Sequence, residues 1–85
     1  MSVRDASVYW VETSEEEIHF IDAIISAYDG LANVRRDYRI RDGKTYFKVY
    51  VGPGLESEFE ELVARLRKKA KIGDVYRDDE ASTPV

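Results

Sequence analysis

The sequence predicts a single α+β domain in which four strands and two amphipathic helices follow one another in the order β-α-β-β-α-β. Three observations predict it: a capping signal that starts a helix after the first strand, an Asp-Gly turn between two alternating runs, and a second apolar stripe at helical spacing. Because 85 residues provide for only one core, we expect one domain over residues 1–77 and a loose acidic tail over residues 78–85.

The first strand and the first helix are signalled at residues 7–30. Residues 7–12 are rich in β-branched and aromatic side chains, which favour a strand. Ser14 and Glu17 form a capping box, and the apolar side chains that follow share one helix face as far as Tyr28, before Gly30 ends the helix. The members of that face are Ile18, Ile21, Ile24, Ile25 and Tyr28.

No turn determines which way the side chains of the first strand point. We favour Tyr9 and Val11 towards the helices, which places Val8 and Trp10 on the opposite face of the sheet. The reverse facing would make Trp10 a core residue.

The central hairpin is predicted by Asp42-Gly43, since this dipeptide favours a two-residue type I′ turn. The turn pairs Arg41 with Lys44 and, continued without interruption, Val34 with Val51. One face of the hairpin then carries Val34, Tyr38, Ile40, Phe47, Val49 and Val51. The other face carries Arg35, Asp37, Arg39, Arg41, Tyr46, Lys48 and Tyr50. This clean separation supports the register.

The second helix follows Gly52-Pro53-Gly54, with an apolar stripe that runs from Leu55 to Ala70, and a short last strand follows Gly73 at residues 74–77. Together the elements predict a ferredoxin-like sandwich: a four-stranded antiparallel sheet of order 4-1-3-2 with both helices on one face. The other face of the sheet has no helix to cover it.

Composition limits the functional classes. The chain has no cysteine and no apolar run long enough to span a membrane, so we expect a cytoplasmic protein without disulfides or thiolate metal sites. The net charge of −4 disfavours general binding to nucleic acid phosphates. We find no pairing of nucleophile and base, no metal signature and no cofactor fingerprint, and we expect no enzymatic activity, no metal and no cofactor.

The uncovered sheet face is the most informative candidate for an interaction surface. Its members are Trp10, Arg35, Arg39, Tyr46, Lys48 and Tyr50. Aromatic and basic side chains together resemble the platform on which RNA-recognition domains stack bases. The same residues also suit a face that binds protein or a second copy, or one satisfied internally by the pairs Arg39–Tyr46, Arg35–Tyr50 and Asp37–Lys48.

In the alternation of its strand, Arg36 is at a position whose side chain points to the helix side of the sheet, which is an unfavourable place for a charge. Either its stem lies along the rim of the core while the guanidinium reaches water, or it binds an anion or carboxylate there.

The segment Ala27-Tyr28-Asp29-Gly30-Leu31-Ala32-Asn33-Val34-Arg35 resembles a family of small uncharacterised bacterial domains of ACT-like ferredoxin fold, and the similarity extends over roughly residues 8–72. The resemblance implies side-by-side association and a small-molecule effector. ACT effector sites use the loop after the first strand, which implies Glu12, Thr13 and Ser14 as candidate ligand-binding residues. Arg36 is a further candidate because of its position on the helix-facing side of its strand.

Our leading hypothesis is therefore a non-enzymatic ACT-like module that acts by association, as a homodimer that senses a small ligand. The alternative is a module that binds single-stranded RNA through the uncovered sheet face.

Overall fold

The computed structural model of the chain describes residues 7–78, except for the side chain of Arg36. The elements are, in chain order, β1 (Ser7–Glu12), α1 (Glu15–Ser26), β2 (Ala32–Arg41), β3 (Lys44–Val51), α2 (Glu56–Leu66) and β4 (Val75–Asp78). The predicted α+β class is confirmed, since two helices pack against an antiparallel sheet. Of the tail predicted at 78–85, Asp78 belongs instead to β4, and residues 79–85 lie outside the described part of the chain.

The strands lie in the order β2-β3-β1-β4, and each neighbouring pair is antiparallel. β1 and β3 therefore lie inside the sheet, while β2 and β4 form its two edges. β2 pairs with β3 along two stretches that are separated by a register shift between Val34 and Tyr38, and counting these stretches separately gives five strand segments.

The Asp-Gly turn forms as predicted, with positive φ at both central residues, 53° at Asp42 and 75° at Gly43. The register next to the turn is confirmed from Arg41–Lys44 to Tyr38–Phe47. Beyond that point the uninterrupted register is wrong, because Val34 lies opposite Val49 rather than Val51. The three residues 35–37 lie opposite Lys48 alone, so β2 contains two more residues than its partner over this stretch.

The main core lies between the helices and one face of the sheet. Tyr9 and Val11 point into it from β1, which confirms the favoured facing of this strand, and Trp10 points to the opposite face. Phe59 of α2 is fully buried at the centre, with its ring centroid 4.8 Å from that of Tyr9. The remaining buried members are Ile18, Ile21, Ile25, Leu31, Phe47, Val49, Val51, Leu62, Val63, Leu66 and Ala70.

Both helices end earlier than their apolar patterns predict. α1 begins at the predicted cap, where the Glu17 amide donates to the Ser14 hydroxyl at 3.1 Å, but it ends at Ser26. Tyr28 therefore lies beyond the helix and is 43% exposed, contrary to its predicted place on the buried face. α2 ends at Leu66, and tight turns then carry Ala70 back into the core.

Candidate functional site

The sheet face away from the helices, called the outer face below, holds a second hydrophobic cluster. Alternation along β1 and β3 brings Val8, Trp10 and Tyr46 together, with Tyr50 and Tyr76 packed against them. Trp10 is only 5% exposed and Tyr46 only 6%, although neither of the two helices within residues 7–78 covers this face. The outer face is therefore aromatic, as predicted, but its central rings are not open to solvent.

Charged side chains hold Trp10 in place. The Arg39 guanidinium lies 3.8 Å from the centre of the indole ring, and Lys48 lies 5.9 Å from it. The indole N–H donates a hydrogen bond of 2.8 Å to the carboxylate of Asp78, which is also 3.7 Å from the Arg39 guanidinium. Trp10 thus makes a cation–π contact with Arg39 and a hydrogen bond with Asp78, and the ion pair between Arg39 and Asp78 supports both contacts.

The other predicted residues of this face are also engaged by neighbours. Arg35 lies 5.6 Å and Lys48 5.3 Å from the ring centre of Tyr50, so the predicted Arg35–Tyr50 contact exists despite the shifted register. Arg39 lies over Trp10, not in the predicted stack on Tyr46, whose ring instead meets that of Tyr76 edge-on at 5.6 Å. Most of the cationic groups of the outer face are thus already placed against aromatic rings.

The Tyr46 hydroxyl lies at the end of the outer face near two acidic residues. Desolvation, followed by the nearby carboxylates of Asp74 and Glu12, raises the pKa of this hydroxyl above its ordinary value. Tyr46 therefore remains neutral at physiological pH and carries no activated phenolate.

The candidate ligand residues that follow β1 bind other parts of the chain. The Thr13 hydroxyl donates to the Lys71 carbonyl at 2.7 Å, and the Glu12 carboxylate accepts from the Asp74 amide at 3.0 Å. Ser14 caps α1. Glu12 and Thr13 thereby hold the connection between α2 and β4 in place, and all three residues line a polar groove rather than an enclosed pocket. The fourth candidate, Arg36, has a side chain outside the described part of the structure.

An apolar groove lies along the edge strand β2, on the helix side of the sheet. Tyr38 is 60% exposed and Ile40 67%, although both have the parity of the core-facing side chains. With Ile18 and Phe47 from the core, and with Glu15 and Thr45, they line a groove of about 400 Å³. The groove thus lies between the start of α1, which contributes Glu15 and Ile18, and the end of the hairpin next to the turn.

Within residues 7–78, no group of three or more histidine, aspartate and glutamate side chains is placed to hold a metal ion. In the same part of the chain, every buried side-chain nitrogen and oxygen has a hydrogen-bond partner. Neither helix is long and apolar enough to cross a membrane, again within the described residues. Comparison with known protein families, curated proteins and solved structures found no match.

Sequence reasoning missed three features of these surfaces. Asp78 was assigned to the tail, yet extending the alternation of the last strand by one residue would have placed it beside Trp10. The outer-face role of Tyr76 follows from the same alternation. The exposure of Tyr38 and Ile40 has no local signal in the sequence, because both residues share the side of β2 that faces the helices.

Proposed function

We propose that this chain is a non-enzymatic module that acts by association with a second copy of itself, and that the open edge of β2 forms the contact. The same proposal includes a ferredoxin-like, ACT-like fold, which the order of the elements supports. It also includes a cytoplasmic location, which the absence of cysteine from the sequence supports. The observation that carries the proposal is the exposure of Tyr38 and Ile40, neighbours of one parity on a strand that lies at the edge of the sheet.

An open edge and an apolar strip favour association together. Within residues 7–78 no strand lies beyond β2, so the edge presents backbone amides and carbonyls to a pairing strand. Full burial of an exposed isoleucine side chain contributes roughly 1.5–3 kcal/mol. Ile40 is still 67% exposed and Tyr38 60%, so most of their apolar surface can be buried by a second copy. Within the described residues, β4 at the other edge carries no large hydrophobic side chain as exposed as Tyr38 and Ile40.

Binding of a small effector is a secondary part of the proposal. The polar groove beside Glu12, Thr13 and Ser14 provides the space. Its lining holds as many acidic as basic side chains, so the charge of the groove alone selects neither an anion nor a cation; the charged members are Glu12, Glu16, Glu17, Lys44, Arg67 and Lys71. Because the polar atoms of the three candidate residues already bind the chain, an effector would compete with those hydrogen bonds.

Binding of single-stranded RNA on the outer face has less support. Bases stack on exposed rings, whereas Trp10 and Tyr46 are 5% and 6% exposed. Arg39 is already engaged with the Trp10 ring and with the carboxylate of Asp78, whose negative charge would repel a phosphate. A nucleic acid would have to displace these contacts before it could stack.

The test of the proposal is the molar mass in solution as a function of concentration. Sedimentation equilibrium should show a mass that rises from 9.8 kDa towards twice that value as the concentration increases. Ile40→Lys should remain monomeric because it places a charge in the apolar strip. Phe20→Lys is the matched control: Phe20 is 42% exposed on α1, so it should behave as the unmodified chain.

A chain that stays at 9.8 kDa up to about 1 mM would contradict the proposal, since association would then be weaker than about 4 kcal/mol. Equal weakening by Ile40→Lys and Phe20→Lys would place the contact away from the β2 edge.

A further inference from the structure

We infer that the second copy pairs through β2 about a two-fold axis at Arg39, with the two β2 strands antiparallel. Tyr38 then lies opposite Ile40 of the partner subunit, and Asp37 lies opposite Arg41 of the partner subunit. This inference rests on the proposed association and specifies its register.

The directions of the backbone groups support this arrangement. The Thr45 carbonyl accepts a hydrogen bond of 3.2 Å from the Thr13 amide, so it points towards β1 and away from β2. The amide and carbonyl of one strand residue point to the same side, and Ile40 is the partner of Thr45 in β2. Ile40 therefore directs its own amide and carbonyl to the open edge. By alternation, Tyr38 does the same.

The register shift limits the length of regular edge. The pairing of β2 with β3 is regular from Tyr38 to Arg41, between the shift at residues 35–37 and the turn. Only an axis at Arg39 places both edge-directed residues of this segment, Tyr38 and Ile40, opposite each other in the two copies. An axis at Tyr38 would place Ile40 opposite Arg36 of the partner subunit, within the shifted stretch. An axis at Ile40 would place Tyr38 opposite Asp42 of the partner subunit, in the turn.

The charges agree with the same register. Asp37 and Arg41 would lie opposite each other on both sides of the axis, so this register opposes charges of opposite sign. Asp37 belongs to the shifted stretch, and the Arg41 guanidinium donates to the Tyr76 hydroxyl of its own chain at 3.0 Å, so the arrangement avoids repulsion at the edge rather than adding a strong ion pair. The two Arg39 residues meet at the axis, but each guanidinium lies over its own Trp10 and near its own Asp78. Both charges are thereby drawn across the outer face and away from the shared edge.

The absence of cysteine from the chain allows a direct test by disulfide formation. Because Tyr38 and Ile40 direct their backbone groups to the shared edge, Arg39 between them directs its own towards β3, and the two Arg39 residues face each other as a non-hydrogen-bonded pair. The Cα atoms of such a pair are about 4.5 Å apart, within the range of a disulfide. Arg39→Cys should therefore form a covalent dimer under mild oxidation. Arg41→Cys is the matched control, since two copies of residue 41 would be about 14 Å apart in this register. We expect cross-linking at position 39 to be on the order of ten times faster or more.

Two measurements separate the inference from the proposal beneath it. A monomer by sedimentation would overturn both. A dimer in which Arg39→Cys cross-links no faster than Arg41→Cys would overturn the register while the association stands. Preferential cross-linking of Tyr38→Cys would move the axis by one residue and would likewise reject the arrangement. As a second variant pair, a mixture of Asp37→Cys and Arg41→Cys chains should form the mixed dimer in preference to either homodimer.

Discussion

Removal of the Asp78 carboxylate should destabilise the chain through Trp10, at the edge of the sheet opposite to the proposed contact. In Asp78→Ala the indole N–H loses its acceptor at 2.8 Å, and a partly buried donor without a partner costs about 1–2 kcal/mol. The ion pair with Arg39 is 3.7 Å long and 42% exposed at the arginine, so its loss adds only about 0.2–0.5 kcal/mol. We expect a total destabilisation of about 1.5 kcal/mol.

Asp78→Asn separates the two contributions, because the amide oxygen can still accept from the indole while the charge is lost. Its expected cost is about 0.5 kcal/mol. The matched control is Asp74→Ala, whose carboxylate is 69% exposed and 3.9 Å from Lys44, and which should cost less than about 0.5 kcal/mol.

Urea unfolding followed by fluorescence provides the measurement, since Trp10 is the only tryptophan in the chain. With a denaturant dependence of about 1 kcal/mol per molar for a chain of this size, Asp78→Ala should lower the midpoint by about 1.5 M and Asp78→Asn by about 0.5 M. All variants should be compared at one protein concentration, because association also stabilises the folded state. A midpoint for Asp78→Ala equal to that of Asp74→Ala would refute the role assigned to the carboxylate.

Three further substitutions test the packing. Burial and then the Glu60 hydrogen bond raise the pKa of the Tyr9 hydroxyl, so the hydroxyl contributes to the stability of the fold below about pH 10 and this contribution is lost at higher pH. Tyr9→Phe should therefore lose less stability than the unmodified chain as the pH rises, which unfolding midpoints across about pH 8–12 would show. Gly73→Ala should cost about 0.5–1.5 kcal/mol, because the new Cβ would lie 2.6 Å from the Glu12 carboxyl carbon and the flexible side chain must move away, which breaks its hydrogen bond with the Asp74 amide. The effect should vanish in the Glu12→Ala background in a double-mutant cycle. Gly43→Ala should cost about 1 kcal/mol by urea unfolding, since φ is 75° there, and an unchanged midpoint would contradict the type I′ turn.

Local signals predicted most of the elements because each depends on a few neighbouring residues. A serine followed three residues later by a glutamate favours the start of a helix, and Asp-Gly favours a two-residue hairpin turn. The cap at Ser14 and the turn at Asp42-Gly43 both form where expected. The ends of the helices were less predictable. Apolar spacing continues to Tyr28 and Ala70, but α1 ends at Ser26 and α2 at Leu66, so an apolar side chain at helical spacing does not by itself show that the helix continues.

The register shift in β2 could not be seen in the sequence for a geometric reason. Alternation detects a shift of one residue, which would exchange the two faces, but a shift of two returns every side chain to its original face. Val34 thus stays on the helix side whether it lies opposite Val51 or, as observed, Val49. The separation of apolar from charged residues was correct while the pairing beyond Tyr38 was wrong.

The outer face was predicted in composition but not in accessibility. Pairing rules consider side chains directly opposite each other, and they placed Arg39 on Tyr46. The arginine instead reaches across β3 to Trp10 in β1, where the ring and the Asp78 carboxylate together attract it. Long, flexible side chains can choose among several neighbours, and the choice depends on three-dimensional placement that no local pattern records.

The interruption of β2 at residues 35–37 also bears on aggregation. A ten-residue strand that ran straight along a sheet edge would be a template for open-ended stacking of chains into fibres. The extra residues opposite Lys48 break that template into short pieces, and the piece beside the turn has only four regularly paired residues. A symmetric contact through this piece uses the same edge in both molecules, so it closes on itself and leaves no second copy of the edge for a third chain.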